Sequence, residues 1–350
     1  MCVGAIMDWR FLAPSFLFLP FVFILLLTLL LFPNISLSLQ HILKNKEMVQ
    51  FKSVFFTVVA ALLLSACGTT STVPITGRKH TLLVSDAQVL SLSNQQYSEF
   101  MKSAKVSANS TNTAMVKRVG QRLANAVEAY LKNNGLSSEI QNFSWEFNLV
   151  QNKEANAFCM PGGKIVVYEG LLPYTQNEAS LAIVLGHEIA HAVAKHSAEQ
   201  MSKKLRQQYG TQIGGALLGQ VIGNDAANLA SSVAQQGFSF ANLKYSRDNE
   251  TEADHMGLIF AAMAGYNPEY AISFWQRMSS GSNGNQSDLL SDHPSDAKRI
   301  AALQKEMPEA LKYYQASGAA TKSTTTAKKV TTTKKTTTAK KTTATKKSTK

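Results

Sequence analysis

One predicted helix carries three polar side chains that the rest of the fold has to accommodate. His187, Glu188 and His191 stand inside an apolar run that predicts a long helix from Ala179 to about His196. At 100° per residue, the two histidines lie about 40° apart on one helical face, one turn from each other. Because burying two imidazoles and a carboxylate without partners costs free energy, the fold has to bring a partner to this face.

The spacing of the two histidines suits a zinc ion. Two imidazoles one turn apart can bind one zinc at the ~2.0–2.1 Å distances that the ion requires. Glu188 lies about 60° from His191, where it can accept a proton from a zinc-bound water. The alternative is a core helix whose histidines are satisfied without metal, but the apolar neighbours at 181–185 make that arrangement costly. The string therefore predicts zinc, with Glu188 as the general base.

A catalytic zinc ion also needs a third protein ligand and an open position. Ala194 and Ser197 occupy the positions that the extended HExxHxxGxxH motif would use for its glycine and third histidine. His196 is turned nearly 180° from His187 on the predicted helix, so it is not a ligand candidate. The third ligand must therefore come from another part of the chain.

The acidic string at 247–254 supplies the missing carboxylates. Glu250 and Asp254 are four residues apart on one helix face, so one can bind zinc while the other orients a ligand histidine through its second ring nitrogen. Glu252 points about 200° from Glu250 and is expected to be solvated or in a salt bridge. His255 is off the Glu250 face and is not a ligand candidate.

Apolar spacing elsewhere predicts a mostly helical domain with a small sheet. Residues 144–150 alternate polar and apolar, and residues 164–168 follow a tight turn, so both segments are predicted strands. Further helices are predicted at 85–103, 113–133, 249–264, 271–278 and 298–312. The predicted fold class is α+β with one core.

The basic charge of the chain belongs to its C-terminal tail. Thirty-five Lys and Arg against 23 Asp and Glu give a net charge of +12, but ten of the lysines lie in residues 321–350. The rest of the chain is nearly neutral, which argues against nucleic acid as a partner. Residues 318–350 are poor in apolar side chains and are predicted to be disordered, as a spacer or as an adhesive segment for anionic surfaces.

Two apolar segments precede the domain. Residues 11–32 carry no charge over a length that can span a bilayer, whereas residues 54–66 are too short to cross. Met48 starts a complete signal peptide that ends in small residues before Cys67, which resembles a bacterial lipobox with Cys67 as the lipidation site. The predicted division is a signal peptide at 48–66, a polar linker at 67–73 and a domain at 74–317. Residues 1–47 are either an over-extended reading frame or an extra membrane span.

The combined motifs resemble those of a known family. The HExxH string followed about sixty residues later by Glu250-x-x-x-Asp254 resembles the HtpX-like and CAAX-prenyl-endopeptidase family of zinc metallopeptidases, of the gluzincin type. Further matches lie at 156–165 and 292–300, and the resemblance covers about residues 74–312. The lipoprotein start points to the bacterial envelope branch of the family.

This resemblance implies a zincin-like domain with one Zn²⁺ per chain. It implies His187, His191 and Glu250 as the zinc ligands, Glu188 as the catalytic base, and Asp254 as a residue that supports a ligand. It also implies that His293 approaches the cleft, either to donate to the oxyanion or to latch the open position of the zinc. Arg299 is expected to pair with a carboxylate near the site.

A peptide substrate has to be held in an extended conformation. By position and by the family resemblance, Lys164–Tyr168 is the candidate edge strand for pairing with it; the alternative is an ordinary internal strand. The expected substrate-binding residues are Asn156, Gly163, Lys164, Ile165 and Val166.

The functional hypothesis is a zinc-dependent endopeptidase that cleaves misfolded or surplus outer-membrane proteins in the bacterial cell envelope. Its expected partners are protein or peptide substrates, the membrane through lipidated Cys67, and the outer-membrane assembly machinery. Gly68 after the cysteine predicts lipid anchoring at the periplasmic face of the outer membrane. The alternatives are a zinc-containing, chaperone-like assembly factor with little turnover, and an adhesive protein that acts through its lysine tail.

Overall fold

The computed structural model describes residues 69–209, 237–280 and 297–319. The predicted signal peptide, Cys67, His293 and the lysine-rich tail from 321 onward lie outside the described residues, as does the extension at 1–47. Within the described ranges, none of the helices has the length and apolar character to cross a membrane.

Five strands form two small sheets. The strands are β1 (Thr69–Thr72), β2 (Lys79–Leu82), β3 (Glu146–Val150), β4 (Ala157–Met160) and β5 (Lys164–Tyr168). The first two form an antiparallel hairpin, and the other three form a sheet in the order β3-β5-β4. In this sheet β5 runs parallel to β3 and antiparallel to β4.

Helices make up most of the described chain, which confirms the predicted α+β class. The longer ones are α1 (Asp86–Ser103), α2 (Ser110–Asn133), α5 (Glu178–Val193), α6 (His196–Tyr209), α7 (Arg247–Met263), α8 (Tyr270–Ser280) and α9 (Ala297–Ala316). Two four-residue helices, α3 (Ser137–Ile140) and α4 (Leu172–Thr175), and one 3₁₀ turn (Glu169–Leu171) complete the set.

Helix α5 lies at the centre of the core. Its apolar residues occur all round the helix, and Leu181, Leu185 and Ile189 are fully buried. It packs against β4 and against α2, α7 and α8. The polar residues that α5 carries are therefore enclosed by the elements around it.

The predicted C-terminal end of α5 needs correction. The helix begins one residue before the predicted Ala179 and is capped by Asn177, whose side chain accepts from the backbone N–H of Ser180. It ends at Val193, and Lys195 adopts a left-handed conformation with φ 57°. Helix α6 then starts at His196 in a new direction, because a left-handed residue cannot continue the helix.

The predicted edge strand is also wrong. Strand β5 pairs with β3 on one side and with β4 on the other, so Lys164–Tyr168 has no open edge for a peptide. Within the three-stranded sheet, β4 is the antiparallel strand that pairs on one side only. The sheet therefore offers Ala157–Met160, which packs against α5, in place of the predicted strand.

Candidate metal centre

Two glycines allow α5 and α7 to cross at backbone contact. A Cβ atom on Gly186 would lie 2.7 Å from the carbonyl oxygen of Gly257, and a Cβ atom on Gly257 would lie 2.6 Å from the backbone nitrogen of His187. Only glycine fits at either position, since real Cβ atoms do not approach backbone atoms this closely. This close approach places the histidine turn of α5 beside the acidic first turns of α7.

Three side chains from these helices converge on one point. His187 and His191 come from α5 and Glu250 comes from α7, and one donor atom of each lies within 4.8 Å of the others. The two Nε2 atoms are 3.0 Å apart, and the Glu250 carboxylate oxygens lie 3.4 Å from His187 Nε2 and 3.5 Å from His191 Nε2. All three residues are buried. Two imidazole nitrogens and one carboxylate form a donor set that fits a catalytic zinc ion.

His187 is held from behind by a carboxylate. Its Nδ1 atom lies 2.9 Å from Asp254 Oδ1, and Arg299 donates to the same oxygen at 2.6 Å. The Arg299 guanidinium also lies 3.6 Å from Glu250 and stacks over the ring of Trp275 at 3.7 Å. The structure thus places Asp254 behind a ligand and Arg299 against both acidic residues.

These contacts shift the pKa values of the buried groups. Burial lowers the pKa of His187, but hydrogen bonds with Asp254 and Glu250 outweigh it and raise the value to about 9. Burial raises the pKa of Asp254, but the charge of Arg299 and the contact with His187 lower it below its ordinary value. The carboxylate of Asp254 is therefore kept ionised, as a residue that accepts from a ligand histidine requires.

His191 has a different set of neighbours. Its Nδ1 atom lies 2.8 Å from Nδ1 of His196, and Nε2 of His196 lies 2.9 Å from Glu252 Oε2. The ring of Tyr245 stacks on the His191 ring, with centroids 3.9 Å apart, and the Tyr245 hydroxyl is 2.9 Å from Ser197 Oγ. Burial is the largest cause that lowers the pKa of His196, which favours a neutral ring.

Of the two alternatives expected for Glu252, solvation or a salt bridge, the structure shows the salt bridge. Glu252 is buried and lies 2.6 Å from an Arg78 nitrogen. His196 and Tyr245 were missed at the sequence level. The one available signal for His196 was a third histidine close behind the HExxH string.

Glu188 lies on the sheet side of α5. It is buried, and its charge adds to burial in raising the pKa of the Cys159 thiol on β4 and of the Tyr245 hydroxyl. The general-base candidate is therefore close to both β4 and the aromatic ring that covers His191. A cavity of about 340 Å³ opens beside Glu250 and is lined by Tyr245, Arg247, Asp254, Lys298 and Arg299.

The residues predicted to bind substrate belong to the β4–β5 hairpin instead. Lys164 is buried and its ammonium lies 2.7 Å from Glu146, while Ile165 and Val166 are fully buried in the central strand. Gly163 has φ 81°, and a Cβ atom there would lie 2.5 Å from the Trp145 ring. The Asn156 side chain accepts from the Ala157 N–H. These contacts hold the hairpin together, and a role of the five residues in substrate binding stays a prediction.

The chain is similar to known peptidases. The pattern of peptidase family M48 matches residues 110–307. The chain is 38% identical over 186 residues to the mitochondrial metalloendopeptidase OMA1 of Arabidopsis thaliana (53% of this chain, 36% of that protein). It is 32% identical over 176 residues to the protein of the same name from Schizosaccharomyces pombe (49% and 50%). It is 28% identical over 225 residues to the metalloprotease LoiP of Escherichia coli (64% and 82%). The match thus spans about a third of the Arabidopsis protein and half of the Schizosaccharomyces protein.

These similarities contradict the predicted location. Relatives from plants, yeasts and animals, at 29–38% identity, are named as mitochondrial proteins. The prediction of a lipid-anchored protein at the bacterial outer membrane is therefore wrong. Lipidation of Cys67 and an assembly-machinery partner, which depended on that location, are left without support.

Proposed function

Because the chain belongs to peptidase family M48, whose members are metalloendopeptidases, we propose that it hydrolyses internal peptide bonds of protein substrates. In this proposal one zinc ion is bound by His187, His191 and Glu250. The observation that supports it most is the convergence of these three buried donors within 4.8 Å of one another, one helical position from Glu188. Bound there, zinc supplies Lewis-acid activation of water and of the substrate carbonyl.

Glu188 carries the proton transfers. It accepts a proton from the attacking water and later donates it to the leaving amine. It follows the ligand His187 on α5, and its charge acts on Cys159 of β4, which supports a role close to both the metal ligands and the strand along which a peptide can lie. Burial keeps its carboxylate away from bulk water, so a proton taken up there is retained for the leaving group.

Strand β4 is the docking strand in this proposal. Tyr168 donates its N–H to the carbonyl of Asn156, so these two residues form a hydrogen-bonded pair. Since such pairs alternate along antiparallel strands, Ala157 and Cys159 direct their N–H and C=O groups away from β5. The Ala157 N–H already donates a hydrogen bond to the Asn156 side-chain oxygen, so it is not available to a peptide. The backbone of Cys159 therefore remains to pair with an extended peptide, in the manner of an added strand.

A metal analysis combined with a digestion assay tests the function. Glu188→Gln should keep its zinc and lose about 10²- to 10⁴-fold in casein cleavage, because the ligands remain and the base is gone. Glu250→Gln should lose both zinc and activity. Glu178→Gln, at the half-buried start of the same helix and paired with Arg118, is the matched control and should behave as wild type.

The outcome also separates the alternative function. A zinc-containing binding factor with little turnover predicts that Glu188→Gln is indistinguishable from the wild-type chain. A Glu188→Gln chain that binds zinc and cleaves casein at the wild-type rate would refute the peptidase mechanism.

A further inference from the structure

We infer that His196 and Glu252 form a hydrogen-bonded relay that orients the metal ligand His191, and that both are positioning residues for the centre. The inference rests on the zinc site proposed above. It is carried by two short contacts in series, 2.8 Å from His191 to His196 and 2.9 Å from His196 to Glu252. It adds two residues, neither of which is a ligand, to the machinery of the site.

The relay follows from the atoms that face each other. His191 directs Nε2 towards His187 and Glu250, so this nitrogen is the metal-binding one and must be unprotonated. The proton of the neutral His191 ring then lies on Nδ1, which faces Nδ1 of His196. His196 has to accept there, and its own proton lies on Nε2, which donates to the Glu252 carboxylate. The contacts therefore permit one arrangement of the protons.

The surroundings hold the relay in place from its far end. Thr76 and Arg78, in the turn between β1 and β2, donate to the two oxygens of Glu252 at 2.5 and 2.8 Å. The carboxylate thus has a fixed orientation before it meets His196. His196 itself is fully buried, so solvent cannot compete for its nitrogens.

The break between α5 and α6 presents His196 to His191. Lys195, in its left-handed conformation, lies 2.8 Å from Asp86 and 3.0 Å from Glu139 through its ammonium group. These ion pairs fix the turn that directs His196 back onto the ligand. A helix that continued straight would carry His196 to the opposite face.

Two substitutions at one position separate orientation from packing. In His196→Asn the side-chain oxygen can take the place of Nδ1 and still accept from His191, whereas His196→Gln reaches Glu252 but leaves His191 without its acceptor. We expect His196→Gln to bind zinc about 10- to 100-fold more weakly, as is typical when a partner of a ligand histidine is lost, and His196→Asn to bind close to wild type. Zinc affinity is measured on the full apo-chain by competition with a chromophoric chelator.

His80→Gln is the matched control. His80 is also a buried histidine paired with a glutamate, at 2.5 Å from Glu199, and that glutamate also binds Arg78. Its contacts in the described part of the chain are to Ser71 and Glu199, and Arg78 still reaches Glu252 without it, so its loss should leave zinc affinity unchanged. Equal losses in His80→Gln and His196→Gln, or wild-type affinity in His196→Gln, would overturn the relay.

A measurement on the wild-type chain needs no variant to fold. In a zinc-loaded, ¹⁵N-histidine-labelled sample, proton–nitrogen correlations through two bonds should show His191 protonated on Nδ1 and His196 on Nε2. A proton on Nδ1 of His196 would overturn the inference. Failure of the proposed centre is a separate result, because the wild-type chain would then take up no zinc at all.

Discussion

The two imidazoles of the proposed zinc site are supported in different ways. His187 contacts a carboxylate directly, and that carboxylate is neutralised by Arg299 from α9. His191 contacts another imidazole, and the charge of Glu252 reaches it only through that ring. Both chains of contacts include an arginine that binds the carboxylate, Arg299 on one side and Arg78 on the other.

This difference shows how the centre is joined to the rest of the fold. Arg299 belongs to the last described helix, and Arg78 belongs to the turn of the first hairpin. Each ligand is thus oriented by an element from the opposite end of the described chain. The direct carboxylate should contribute more to the metal affinity than the longer relay, because electrostatic interactions weaken with distance. The predictions below test that ranking.

The largest effect is expected at the crossing of α5 and α7, because α5 carries both histidines and α7 carries both of the carboxylates that support them. Gly257→Ala places a Cβ atom 2.6 Å from the backbone nitrogen of His187, so α5 and α7 have to separate. We expect a loss of about 1–3 kcal/mol in the free energy of unfolding. We also expect a fall in zinc affinity beyond the roughly 100-fold upper range for a single lost partner of a ligand. Urea unfolding and chelator competition measure the two quantities.

Gly120→Ala serves as the control for this substitution. Its Cβ atom would lie 2.2 Å from the Phe147 ring, in the contact between α2 and β3 and away from the metal ligands. It should destabilise the fold and leave the zinc affinity of the folded chain unchanged. Wild-type zinc affinity in Gly257→Ala would show that the helix crossing does not set the ligand geometry.

The second effect concerns the direct support of His187. Asp254→Asn can still accept from the histidine but removes the negative charge that faces both His187 and Arg299. We expect zinc affinity to fall by about 10- to 100-fold. Asp248→Asn, an exposed aspartate in the first turn of the same helix, should leave it unchanged. The ranking fails if Asp254→Asn costs less affinity than His196→Gln.

The third effect concerns the far end of the His191 relay. Arg78→Gln removes a cation 2.6 Å from Glu252. In the series of contacts, His196 and Glu252 lie between this cation and the ligand His191. Zinc affinity should fall by less than about 10-fold, below the range for direct partners of a ligand. Arg118→Gln breaks an ion pair with Glu178 at the start of α5 and should not change the affinity. An Arg78→Gln loss as large as that of Asp254→Asn would make the two supports equivalent.

Helical geometry was sufficient to predict much of this centre. His187 and His191 lie one turn apart, as do Glu250 and Asp254, so each pair shares a face whatever the rest of the fold does. The structure brings three of these side chains together because α5 and α7 cross beside them. The crossing depends on two glycines, and a glycine inside a helical pattern does not by itself reveal which helix it contacts.

The features that the sequence could not predict depend on a break between two helices and on contacts between residues that are distant in the sequence. His196 was placed on the wrong face because the apolar pattern runs on through the left-handed Lys195, where the helix in fact ends. The choice between solvent and a salt bridge for Glu252 stayed open because its partners, Thr76 and Arg78, lie in a hairpin more than 170 residues away. Lys164–Tyr168 is the central strand of its sheet because it pairs in parallel with β3. The sequence of a short apolar strand does not indicate which strands it pairs with.

The smallest effect tests a second link between α7 and α9 that does not contact a ligand. His255 lies 3.4 Å from Glu306, and this hydrogen bond is the main cause that raises the pKa of His255. Because the folded-state pKa is the higher one, the stabilisation is complete below the ordinary value of about 6.5 and is lost as the pH rises through the raised value. In His255→Gln this pH-dependent fall in the free energy of unfolding should be absent. The difference in stability between the variant and the wild-type chain should stay below about 1 kcal/mol, since the pair is partly exposed.

Zinc affinity should be unchanged in the same variant, because Arg299 still reaches Asp254. A marked loss of zinc affinity in His255→Gln would mean that the position of α9 as a whole, rather than the Arg299–Asp254 contact, supports His187.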